Sequence, residues 1–105
     1  MADESGPPKF ARLLQVARAL QDAWRPKSVL SVNQANLRVV KFQGHFADWH
    51  THDADECYVV LEGELLVELE GEASVRLTTG DAYVVRAGVV HRPFATPMAN
   101  VLLIT

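Results

Sequence analysis

From Pro26 onward, short runs of β-branched and aromatic residues alternate with single glycines, and this rhythm narrows the fold more than any other feature. The runs fall at 29–32, 37–42, 46–50, 56–61, 64–69, 74–78, 82–85, 92–96 and 100–104. Each has the length and composition of a strand. No helical stretch separates them, so they are expected to pair antiparallel in a sandwich or barrel. Glu62-Gly63-Glu64 and Glu70-Gly71-Glu72 are expected to be tight hairpin turns, with glycine free to take positive φ.

The chain before Pro26 reads differently. Residues 1–8 carry acids, Gly6 and two prolines and are expected to form a loose arm. Phe10, Leu13, Leu14, Ala17, Leu20 and Trp24 then recur at helical spacing, which predicts one amphipathic helix over 9–23. Pro26 disfavours α geometry at Arg25 and ends it. The apolar stripe is expected to pack on the outside of the sheet, because so short and modestly basic a helix suits a membrane surface poorly. At 105 residues the chain can build one core. The expected division is an arm and helix over 1–26 and a barrel over 27–105.

The strand at 56–61 is apolar on both faces. Glu56, Tyr58 and Val60 share one; Cys57, Val59 and Leu61 share the other. One face lines the barrel, and the other needs a cover, either the helix or a second subunit. A homodimer is therefore expected, since a small monomer seldom exposes a wide apolar patch.

Charge and cysteine content exclude several classes. A net charge of -3 supplies no basic field for a nucleic-acid backbone. Cys57, the single cysteine, cannot form an intrachain disulfide and fits a reducing compartment. The first residues lack the pattern of a secretory leader, and no apolar run is long enough to span a bilayer. A soluble, cytoplasmic protein with neither nucleic-acid nor membrane partners is expected.

The histidines point to chemistry. His50 and His52 lie two residues apart, so in an extended segment both imidazoles can reach one point. Glu56 follows at the head of the next strand, within reach after a short turn. His91 comes much later, after the turn-prone segment 86–90. Imidazole and carboxylate together suit iron, manganese, nickel, zinc or copper. Four protein ligands leave one or two positions open, the mark of a metal that does chemistry.

These residues sit in a fixed frame: Gly44, five residues, His50, one, His52, three, Glu56, six, Gly63. At this chain's composition the frame arises by chance at about three in ten million starting positions. A second frame follows, with Gly80, five residues, Arg86, one, Gly88, two, His91. The chain resembles the cupin superfamily on these two motifs, most closely the bacterial small cupins of the conserved-barrel type, often labelled similar to mannose-6-phosphate isomerase. It departs at Arg86, where the family usually has proline, and at Ala95, where it often has asparagine. Neither departure removes a ligand. The resemblance implies an all-β, double-stranded β-helix (jelly-roll) barrel, a divalent metal on His50, His52, Glu56 and His91, and commonly a homodimer.

Other residues near the frames are read plainly. His45 belongs to the rim or surface. Asp48, Asp53 and Asp55 are loop carboxylates, any of which can orient an imidazole. Tyr58 is a satisfied barrel tyrosine before it is a proton donor. Cys57 is a small buried hydrophobe. Arg86 is a surface ion pair before it is a clamp for an anionic substrate. Phe42, Trp49 and Phe94 line a pocket or fill the core, and the register at 37–42 is ambiguous.

Two classes of function follow. In the first, the metal activates dioxygen or polarises a carbonyl of a small molecule bound in the barrel, as in cupin dioxygenases, isomerases and lyases. In the second, the barrel holds a small ligand or metal without turnover, as a sensor, carrier or assembly subunit. Three histidines and a glutamate around an open position favour the first. The sequence identifies no acid–base residue with a catalytic role.

Overall fold

The computed structural model describes residues 6–45 and 48–105. Its elements in chain order are α1 (Leu13–Arg18), β1 (Lys27–Val32), β2 (Ala35–His45), β3 (Glu56–Leu69), β4 (Val75–Thr78), β5 (Ala82–Val85) and β6 (His91–Ile104). All six strands join one antiparallel sheet in the order β1-β2-β6-β3-β4, with β5 on the same edge of β3 as β4. β5 pairs with the first half of β3 and β4 with the second.

This sheet is curled, not flat. One buried apolar cluster takes Val40 and Phe42 from β2, Tyr58, Val60, Leu65 and Val67 from β3, Leu77 from β4, Val85 from β5, and Val101 and Leu103 from β6. In a flat sheet β2 and β4 would stand about 14 Å apart, three strand spacings. Closure of the sheet around those side chains gives the jelly-roll barrel.

The outer face carries a second cluster, where Ala17 of α1 is wholly buried against Val39 and Leu102. Val59 and Leu61 of β3 pack there too. The helix is therefore the cover that the second face of β3 requires.

That helix is shorter than the 9–23 expected. Arg12 at its N-cap offers no side-chain acceptor, and no acid stands in its first turn. At the other end the Ala19 N–H is shared between the Gln15 and Val16 carbonyls, which tightens the last turn. β2 then captures the chain: Lys41 Nζ donates to the Leu20 carbonyl at 2.7 Å, and the Trp24 N–H donates to the Lys41 carbonyl at 2.8 Å. Trp24, with φ of 66°, leaves the helical stripe and stacks on Phe42 of the inner face instead.

Two expected breaks in strands are absent. β3 runs through Gly63 without turning, and β6 runs from His91 to Ile104 as one element where two strands, 92–96 and 100–104, were expected. In both cases the interruption is a bulge. Thr96 and Pro97 sit where the register with β2 jumps from Met98 to Ala95, so the missing proline N–H costs no ladder bond. The turn at Glu70-Gly71 forms as expected between β3 and β4. Of the run at 46–50, Phe46 and Ala47 lie outside the described residues. Asp48 and Trp49 are not in a strand, and His50 makes a single bridge, to His91.

Candidate metal centre

Three segments bring their side chains to one point inside the barrel mouth. Glu56 opens β3, His91 opens β6, and His50 and His52 come from the loop at 48–55. Backbone bonds lock that loop against the turn before His91. The His50 N–H reaches the His91 carbonyl at 3.0 Å, and the His91 N–H reaches the His50 carbonyl at 2.9 Å. The Gly88 N–H donates to the His52 carbonyl at 2.9 Å. Asp55 adds side-chain ties, accepting from the Ala87 N–H at 2.8 Å and from Arg86 at 3.0 Å.

The three imidazoles cluster closely. Ring centroids lie 4.3 Å apart for His50 and His91, 4.9 Å for His50 and His52, and 5.4 Å for His52 and His91. One nitrogen from each ring falls within 4.8 Å of the other two. Three nitrogens bound to one metal at about 2.1 Å lie roughly 3.0–3.6 Å apart. The group thus closes on an ion by side-chain moves of up to about an ångström, and it can hold a metal. Glu56 faces it, with Oε1 at 3.7 Å from both His52 Nε2 and His91 Nε2.

Backbone carbonyls set the tautomers. His91 Nδ1 lies 2.9 Å from the Val89 carbonyl, and His50 Nδ1 lies 3.3 Å from the Asp48 carbonyl. A carbonyl only accepts, so each Nδ1 carries the proton and each Nε2 keeps a lone pair for the centre. His91 is fully buried and Glu56 is 7% exposed, yet His91 Nε2 and Glu56 Oε1 have no hydrogen-bond partner. Two buried electron-pair donors that face each other across 3.7 Å, neither with a hydrogen-bond partner among the described residues, fit an ion between them.

The electrostatics are divided. Burial lowers the His50 imidazolium pKa, and the neighbouring His91 and His52 reinforce it against the Asp48 carbonyl. Burial also pulls His91 down, but Glu56 and the Val89 carbonyl outweigh it and hold His91 above the usual range. Burial pushes Glu56 up, while His91, the Tyr58 hydroxyl and the charge of His52 bring it below its ordinary value. The Tyr58 phenol is pushed far up by burial and by the Glu56 charge beside it.

A cavity of about 250 Å³ opens from this point, with Trp24, Pro26, Phe42 and Leu103 as apolar walls and His50, His52, Glu56 and Tyr58 on the metal side. Arg38 also lines it. Sequence reasoning did not single out Arg38, Pro26 or Leu103. Alternation along β2 carried the signal for Arg38: with Val40 and Phe42 inward, Arg38 must face inward as well.

Most of the plain readings match what is seen. His45 is half exposed, pairs with Glu68 at 3.4 Å and stacks on Phe94, outside the imidazole group. Arg86 is a surface ion pair with Asp55, both more than half exposed. Trp49 lies under the Arg92 guanidinium, away from the cavity lining, and Phe42 faces the core. Cys57 is half-buried. Backbone carbonyls orient the His50 and His91 imidazoles.

This combination of curled antiparallel barrel and clustered histidines is that of a cupin. Residues 38–104 match the cupin domain family, and the chain belongs to it. An uncharacterized Bacillus subtilis protein, YdbB, is 35% identical over 85 residues, which span 80% of this chain and 74% of that protein. A cupin-2 domain containing protein from Shewanella frigidimarina superposes with a TM-score of 0.84 at 28% identity, covering 90% of this chain and 92% of that one. Hydroquinone 1,2-dioxygenase from Sphingomonas sp. TTNP3 superposes with a TM-score of 0.85 at 16% identity. The superposition covers 92% of this chain but 32% of the dioxygenase chain.

Proposed function

We propose that His50, His52, Glu56 and His91 together hold one divalent transition metal (iron, manganese, zinc or nickel), and that the adjoining cavity binds a small molecule for metal-dependent chemistry. The carrying observation is the pair of buried atoms, Glu56 Oε1 and His91 Nε2, that face each other at 3.7 Å with no other partner. An ion there satisfies both. Four protein ligands would leave such an ion room for a further ligand, and it would supply Lewis acidity or a site for dioxygen. The chain's own contribution is to hold the imidazoles in one tautomer, to keep Glu56 ionised beside Tyr58, and to exclude water behind Trp24 and Phe42.

A second reading, binding without turnover, draws on Tyr58. It is the acid–base candidate that faces the cavity, and burial and the adjacent Glu56 charge push its phenol far up, so it keeps its proton. In the enzyme reading Tyr58 therefore serves beside Glu56, and no separate side-chain acid is assigned. The hydroquinone dioxygenase likeness supports the barrel alone at that identity.

Metal content tests the core of this reading. His52→Ala and His91→Ala are each expected to lose most of the ion carried by the wild-type chain, measured by elemental analysis. Unchanged stoichiometry in both overturns it. A homodimer and a cytoplasmic location belong to the same proposal. β1 leaves one edge of the sheet open to a partner, and the single cysteine suits a reducing compartment. Among the described residues no helix is long and apolar enough to cross a membrane.

A further inference from the structure

Arg38 occupies an unusual position for a cation. It sits on the inward face of β2 with Val40 and Phe42, pairs with Leu103 of β6, and through Leu103 shares a layer with Tyr58 of β3. Two strand spacings put Arg38 and Tyr58 about 9–10 Å apart across that layer. Arg38 lines the cavity that also holds His50, His52 and Glu56. Yet among the described residues its buried Nε has no hydrogen-bond partner, and the guanidinium makes one long bond of 3.5 Å from Nη2 to the Thr105 hydroxyl. Among the described residues no carboxylate lies within ion-pair reach of it.

A buried guanidinium N–H without a partner is costly, and part of that cost is recovered when an anion arrives to accept from it. Arg presents two parallel N–H bonds, a geometry that matches a carboxylate. The remaining walls are flat and apolar: Trp24 stacks on Phe42 with ring centroids 4.8 Å apart, and Pro26 and Leu103 complete them. At about 250 Å³ the space is below the roughly 300–1,000 Å³ of a typical drug-sized pocket, which admits one ring but not two. Arg86, the other cation near the centre, is spent on Asp55 at the surface.

We propose that Arg38 is the specificity-determining residue of this cavity, and that the molecule bound beside the metal centre is a small, flat carboxylate. The proposal rests on the cavity and centre described under the proposed function, and names their substrate class. The carboxylate pairs with Arg38 while the flat body lies against Trp24 and Phe42. The opposite end then points toward the imidazole group.

Calorimetric titration of the full-length protein with benzoate and with its neutral isostere benzamide tests this. Wild type is expected to bind benzoate about tenfold or more tightly than benzamide, the worth of one charge-assisted pair. Arg38→Gln is expected to abolish that preference while its metal content, read by elemental analysis, stays that of wild type. Arg38→Met, similar in length and apolar, gives the same reading if the glutamine variant does not fold. Equal affinity of wild type for the two compounds, or binding of neither, overturns the proposal. So does a benzoate preference that survives loss of Arg38, since the carboxylate would then be held by the metal. Absence of metal from wild type contradicts the proposed function separately, because the loss of preference on removing Arg38 is read without reference to it.

Discussion

The Asp55 carboxylate accepts from the Ala87 N–H and from Arg86, and so joins the loop bearing His52 to the turn before His91. Where the family's usual proline would stiffen that turn, this chain has Arg86 and the Asp55 bridge in its place. The Ala87 N–H, followed by Arg86, holds the Asp55 carboxyl below its ordinary value. A depressed carboxylate stabilises the fold above its unfolded pKa of about 3.9 and loses that contribution as pH falls through the folded value. Asp55→Ala is therefore expected to melt below wild type at pH 7, with the gap narrowing as pH falls below about 5. A gap independent of pH, followed by thermal denaturation, contradicts the bridge.

At the scale of elements, the bulges matter more than the turns. Gly63 holds φ of 97° in mid-strand, and a Cβ there meets the Met98 carbonyl oxygen at 2.5 Å. β3 changes its inward face around this point, from Glu56, Tyr58 and Val60 to Leu65, Val67 and Leu69. One strand can thus present ligands at one end and core at the other. Gly63→Ala is expected to cost about 2 kcal/mol or more, read by denaturant unfolding; a cost below about 0.5 kcal/mol contradicts the close approach. Short runs of β-branched and aromatic residues made β1, β2, β4 and β5 legible from sequence, β5 at its observed bounds and the others with only their ends displaced. The same signal failed at β3 and β6 because glycine and proline signal a turn and a bulge alike, and only the partner strand decides between them. The helix was legible in its apolar face but not in its length, since the capture of Leu20 and Trp24 by Lys41 is a long-range event. His50, His52 and Glu56 were legible as candidates because their spacing is local and fixed, and His91 because it closes a second fixed frame; the three imidazoles do come together. Arg38 was missed because its direction depends on the register of β2.

For the whole molecule, the helix settles what covers the second face of β3. Val59 and Leu61 are packed against α1, so that face gives no reason for a second subunit. The dimer proposal now rests on the open edge of β1 and on the family resemblance. Light scattering at micromolar concentration is expected to return roughly twice the 11.6 kDa chain mass; a clean monomer contradicts pairing along that edge.

The barrel's central feature remains the convergence of two strand starts and the 48–55 loop on one small volume, where the buried Glu56 Oε1 and His91 Nε2 lie without a hydrogen-bond partner among the described residues. Elemental analysis of untagged protein purified without chelator, beside its His50→Ala/His52→Ala variant, tests this most directly. Close to one equivalent of a transition metal per chain, lost in the variant, is the expected result. A wild-type chain that stays metal-free even after reconstitution with iron, manganese, nickel and zinc, or a variant that keeps its full equivalent, contradicts it.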